Sequence, residues 1–218
     1  MSEAAFAALL AILGVPLGLL AEAWATRALR GKAGSAGRSR SRWAAAGIAM
    51  ALCAWAGFRF EASNAEWLAF VALSFVLLTI TITDLRAMLI PNSIVFPAVA
   101  LAVLLRLFAH PLPLWHYAAG ALAGFALLYA LSAVSRGGIG GGDIKLYLFV
   151  GLLCGLQATI LSLFMASIAA TAFGLGSRLV GLRSRTIPFG PFIAFGSIAA
   201  VLYGEQILQS YASWAGVG

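Results

Sequence analysis

Long apolar runs, broken by short polar or turn-forming stretches, divide the chain into segments near 4–26, 43–59, 66–84, 93–109, 114–134, 144–155, 158–177 and 190–205. Runs of this length suit helices, because about 20 residues rising about 1.5 Å each cross a hydrocarbon layer about 30 Å thick. A helix also satisfies its own backbone hydrogen bonds in lipid. The pattern therefore predicts an all-α, polytopic integral membrane protein of about eight transmembrane helices. The stretch from Ile144 to Ser177 is too long for one simple span, and its one interruption is Gly155-Leu156-Gln157. A helical hairpin is expected there.

Composition strengthens this reading: 62% of residues are hydrophobic, 10% are charged and the mean hydropathy is +0.99. A soluble globular domain carries about 25% charged residues. Cys53 and Cys154 lie in apolar runs without a CxxC, and His110 and His116 form no ligand pattern with them. Neither a disulfide nor a structural metal is expected, and no cofactor is implied. Ala21-Glu22-Ala23 resembles a signal cleavage site, but residues 1–10 carry Glu3 and no basic residue. A secretory signal needs a basic start, so a retained first helix with its N-terminus outside is expected.

Charge sets the orientation. With eight spans and the N-terminus outside, the inner loops collect Arg27, Arg30, Lys32, Arg38, Arg40, Arg42, Arg86, Arg136, Lys145, Arg178, Arg183 and Arg185, leaving Arg59 and Arg106 toward the outside. Twelve of fourteen basic residues then obey the positive-inside rule. Reading 144–177 as one span would move the Arg178–Arg185 cluster to the wrong face. Both termini are thus expected in the periplasm, with a two-helix N-terminal region at 1–65, joined by a short basic cytoplasmic loop, and a six-helix core at 66–218.

The same parity brings two acids to one face. The third segment ends at Asp84 and the sixth begins at Asp143, both on the cytoplasmic side, whereas Glu3, Glu61, Glu66 and Glu205 fall outside and Glu22 lies within the first span. An ionisable group at membrane depth marks a functional site by default. Asp143 follows Gly138-Ile139-Gly140-Gly141-Gly142 and precedes Ile144-Lys145, so the backbone beside the acid is nearly free of side chains. Such a backbone admits close approach. The sixth segment, twelve residues, is about 18 Å long by helical rise, which would start Asp143 below the lipid surface.

Two carboxylates in a low-dielectric site share one proton. One can then take a proton from water while the other polarises a scissile carbonyl. Dipoles of the two helix ends favour Asp143 as the base, since it stands at a helix N-terminus and Asp84 at a C-terminus. Lys145 is placed to act on Asp143 or on substrate, or to snorkel to lipid phosphates. The glycines do not make a nucleotide loop, because no Gly-Lys-Ser/Thr ending follows and Asp143 occupies the third-glycine position of GxGxxG.

These residues resemble the bacterial type IV prepilin peptidase family, membrane aspartyl proteases marked by GxGD. Gly140-Gly141-Gly142-Asp143 supplies that motif, Asp84 with Ile90-Pro91-Asn92 resembles the family's first-aspartate segment, and Ile187-Pro188-Phe189-Gly190-Pro191-Phe192 is a third match. The resemblance runs from about residue 66 to the C-terminus. It implies a hydrolase that removes the basic leader from type IV prepilins or type II secretion pseudopilins at the cytoplasmic face of the bacterial inner membrane, with Asp84 and Asp143 catalytic and Gly138, Gly140, Gly142 and Lys145 supporting them. Many members carry a large CxxC-containing loop linked to N-methylation of the trimmed pilin. Here that loop is only about Ala28–Arg42, so methyltransferase activity is not assigned.

Two other classes compete. A presenilin-like protease would show Tyr-Asp and Pro-Ala-Leu, but Thr83 precedes Asp84 and no Pro-Ala-Leu occurs. A proton-coupled transporter could use an Asp pair, yet it would be expected to carry internal repeats, and none is evident. Arg38-Ser39-Arg40-Ser41-Arg42 reads as attraction to anionic lipid rather than to nucleic acid. Gly120 and Gly124 form a GxxxG that reads as internal packing, while Trp43, Trp67, Trp115 and Trp214 read as interfacial anchors. Glu22 is left without a role, and the pattern implies no oligomeric state.

Overall fold

The computed structural model describes residues 2–30, 38–61, 64–135, 138–180 and 187–216. Among them are seven helices: α1 (Glu3–Ala28), α2 (Arg38–Arg59), α3 (Glu66–Ala87), α4 (Asn92–Phe108), α5 (Leu114–Val134), α6 (Gly141–Leu179) and α7 (Gly190–Ala215). Five of these, α1, α3, α5, α6 and α7, are long and apolar enough to cross a membrane, and α4 is a shorter apolar helix. Lys32, Arg136, Arg183 and Arg185, counted above toward one face, lie outside the described residues, as do the side chains of Arg38 and Arg40.

The described residues thus give seven helices where about eight separate spans were expected, because 144–155 and 158–177 run together as α6. The join is not a straight helix. Gly155 has φ 76° and ψ 177° inside the run, a conformation open essentially to glycine alone. Tyr147 and Ser162 would stand about 22 Å apart along a straight helix, yet the Ser162 hydroxyl and the Tyr147 hydroxyl are 3.3 Å apart. The two halves of α6 therefore fold back on each other at Gly155.

Helix α3 is the hub. It is the most buried of the five long apolar helices and touches α1, α2, α4, α6 and α7. Leu73, Val76, Leu77 and Ile80 of α3 meet Ile94 and Ala98 of α4, Leu128 of α5, Leu146, Phe149 and Val150 of α6, and Ile193 of α7 in one continuous core. The N-terminal pair packs onto the same helix, with Phe6 and Leu10 of α1 and Cys53 and Ala56 of α2 clustered around Phe70. Outward faces stay apolar: Ile12, Phe58, Phe108, Leu122, Phe164 and Leu179 are all exposed. Lipid is the solvent such faces suit.

Glycines set the tightest helix contacts. A Cβ on Gly14 would sit 2.5 Å from the Met50 backbone, and one on Gly120 would sit 2.6 Å from the Gly155 backbone. Small residues let apolar helices approach until their backbones touch. The Gly120–Gly124 motif is accordingly spent inside the molecule, against Gly151, Gly155, Thr159 and Tyr147 of α6.

Candidate active site

Asp84 stands in the last turn of α3 and Asp143 in the first turn of α6, with relative exposures of 6% and 9%. The turn after α3 is tight: Met88 ends the helix in the left-handed region at φ 48°, and its N–H donates to the Asp84 carbonyl at 2.8 Å. Pro91 then caps α4, its carbonyl accepting the Ile94 N–H at 3.0 Å. Because Pro91 cannot continue a preceding helix without clashing, the chain is turned sharply between Asp84 and α4. That turn carries Ile90 to the glycines before Asp143.

The contact is very close. A Cβ on Gly142 would lie 2.7 Å from the Ile90 Cβ, and one on Gly140 would lie 3.1 Å from Asp143 Oδ2, whereas one on Gly141 meets nothing within 4 Å. The glycines thus differ in need: Gly142 and Gly140 are hemmed in, and Gly141 is open. Gly138 approaches Ser135, whose hydroxyl would lie 3.1 Å from an added Cβ. Ser132 binds the same loop by donating to the Ile139 carbonyl at 3.2 Å.

Helix α7 completes the arrangement. The Gly190 N–H, at the start of that helix, donates to Asp84 Oδ2 at 2.7 Å, and a Cβ there would come within 2.9 Å of the same oxygen. Helix N-termini present unpaired N–H groups to anions. The three stretches singled out in sequence, around Asp84, Asp143 and Gly190, therefore lie at one end of the bundle, Gly190 against Asp84 and the turn after Asp84 against the glycines before Asp143. Lys145 turns away from the acids in its hydrogen bonding: its ammonium donates to Asn92 Oδ1 at 3.3 Å and lies 5.9 Å from the Phe96 ring. It links the start of α4 to the start of α6.

Sequence reasoning attached no role to Gly190 and none to Glu22. Glu22 is 2% exposed and pairs with Arg86, whose Nη2 lies 2.6 Å from Glu22 Oε1. The Gly190 contact had a visible signal in the Ile187–Phe192 match, but only the packing of α7 on α3 joins it to Asp84. At the opposite end, Arg106 pairs with Glu66 and donates to the Leu153 carbonyl beside the α6 elbow. A cavity of about 560 Å³ opens there, lined by Glu66, Arg106, His116 and Glu205. It is remote from both aspartates, since Glu66 begins the helix that Asp84 ends.

No group of three or more His, Cys, Asp or Glu side chains suited to a metal ion occurs among the described residues. What remains at the aspartate end is two buried carboxylates, a backbone N–H on one of them, and a glycine loop packed close beside the other. This set can activate water between two acids.

The type IV leader peptidase family model matches residues 71–175, a segment containing both aspartates and the glycine loop. The prepilin leader peptidase/N-methyltransferase of Bacillus subtilis (strain 168) is 36% identical over 171 residues, covering 77% of this chain and 68% of that protein. Proteins with the same name from Stutzerimonas stutzeri, 30% identical over 201 residues, and Aeromonas salmonicida (strain A449), 34% identical over 155, are covered over 68% and 53% of their lengths. The chain thus spans between about half and two thirds of the relatives it matches. No solved structure matches it.

Proposed function

The chain belongs to the type IV leader peptidase family, and on that premise we propose that it is a membrane aspartyl endopeptidase that removes leader peptides from prepilins or pseudopilins. The observation that carries the proposal is the convergence of Asp84, Asp143 and the Gly190 N–H at one end of the bundle. Two facing carboxylates hold one proton between them. The ionised member takes a proton from water as the oxygen attacks the scissile carbonyl carbon, and the protonated member hydrogen-bonds the developing oxyanion. When the C–N bond breaks, the proton taken from water passes to the leaving nitrogen. One new carboxyl and one new amine result.

Gly138, Gly140 and Gly142 let the loop pack without side chains against Ser135, Asp143 and Ile90 and so support the acid, and Lys145 holds α4 and α6 together through Asn92. The proposed topology has eight membrane segments, counting the halves of α6 separately, with both termini periplasmic and the dyad facing the cytoplasm. Basic clustering on one face supports this orientation. The six helical segments from residue 66 onward form the peptidase core, and anionic lipid receives the basic loop.

Purified protein in detergent is expected to shorten a prepilin by its leader, and Asp84→Asn and Asp143→Asn are each expected to lower the rate by about 10²–10⁴-fold, the usual worth of a proton-transfer group. Cleavage persisting at the full rate in either variant would remove that aspartate from the mechanism. Absence of cleavage by folded wild type, with proton-coupled solute uptake in vesicles, would favour a transporter.

A further inference from the structure

Asp84 is held from α7 by its carboxylate, but the backbone that carries it has a second fixed point. Arg86, two residues on in the same final turn of α3, reaches across to α1: Nη2 lies 2.6 Å from Glu22 Oε1 and Nη1 donates to the Thr26 hydroxyl at 3.2 Å. The Thr26 hydroxyl in turn donates to Glu22 Oε2 at 3.4 Å. Three side chains from two helices thus close a ring. Trp24 of α1 stacks on Phe75 of α3 with centroids 5.9 Å apart, a second contact between the same two helices.

Resting on the dyad reading above, we infer that Glu22 is a positioning residue for Asp84, acting through Arg86. An ion pair with one member buried and the other partly exposed is a poor source of stability, because the cost of desolvation offsets much of the attraction. Its better attested contribution is to select one geometry. The last turn of a helix lacks hydrogen-bond partners for its carbonyls and frays. Here that turn carries Asp84, ends in a left-handed Met88, and is pinned by a guanidinium that Glu22 holds from a neighbouring helix. Glu22 lies before the matched segment 71–175, while Arg86 lies inside it. The N-terminal helix therefore acts on the dyad from outside the segment that carries the chemistry.

Misplacing a reacting group by about 1 Å costs on the order of 10²-fold in rate. Prepilin cleavage is measured for wild type, Glu22→Ala, Arg86→Ala, the double variant and Asp84→Asn, with rates expressed per folded molecule after size exclusion. Each single alanine is expected to lower kcat by about 10- to 100-fold, with KM within about twofold of wild type. The double variant is expected to fall no further than the worse single, since both break one link. Glu22→Ala at the full rate, losses that multiply in the double, or a rise in KM alone would overturn the inference while Asp84→Asn, inactive in the same assay, keeps the dyad reading intact. A folded wild type that cuts no prepilin overturns both.

Discussion

Gly190 has no side chain where it meets Asp84, and that absence decides how the acid is held. The N–H reaches Oδ2 at 2.7 Å only because the helix start can lie against the carboxylate, where a methyl would come within 2.9 Å of the oxygen. Gly190→Ala is therefore expected to leave the protein folded and to lower kcat by about 10-fold or more, since it displaces a reacting group by a fraction of an ångström. Gly142 faces the same limit against Ile90, and Gly141 does not. Gly142→Ala should thus lose activity while Gly141→Ala keeps it within about twofold of wild type, the ordinary cost of a residue at an open site. Equal losses at 141 and 142 would show that backbone freedom, rather than space, is what the loop requires.

The sixth helix illustrates how one residue changes an element. Gly155 adopts φ 76° and ψ 177°, and an added Cβ would also lie 2.7 Å from His116 Nδ1. His116 accepts the Leu156 N–H at 3.3 Å, so a side chain of α5 satisfies a backbone donor that the break has released. Gly155→Ala should cost about 1–3 kcal/mol from backbone strain alone, read as a lower thermal midpoint in detergent. The α5 contact is as demanding, because Gly120 and Gly151 bring two backbones together. Gly151→Val should cost about 1–3 kcal/mol by overpacking and reduce extractable folded protein. Wild-type melting of Gly155→Ala would mean that α6 does not break at Gly155, and wild-type melting of Gly151→Val that α5 and α6 do not meet backbone to backbone.

At the scale of the molecule, the aspartates occupy one end and the Glu66–Arg106 pair the other, which makes the orientation testable. In a background with Cys53 and Cys154 replaced by alanine, an impermeant thiol reagent added to intact cells should label Asn64→Cys and spare Ser135→Cys. The reverse pattern would place the dyad on the opposite face. Much of the fold was legible because lipid demands unbroken apolar helices: the expected segment 66–84 became Glu66–Ala87, 93–109 became Asn92–Phe108, and 114–134 became Leu114–Val134. The elbow was legible too, since Gly155-Leu156-Gln157 interrupts an otherwise continuous run. Asp84 and Asp143 stood out because charge is costly at that depth. Glu22 stood out for the same reason, yet its partner lies 64 positions away, and the glycine of Ile187–Phe192 gave no hint that its N–H would meet Asp84. Sequence by itself determined which segments are helices and which polar groups are exceptional, since both follow from the local balance between apolar surface and buried charge. Only the tertiary structure decided the partners, Gly190 for Asp84, Asn92 for Lys145 and Arg86 for Glu22. Hydrogen bonds and ion pairs are directional contacts of a few ångströms, and their geometry exists only once the helices have packed.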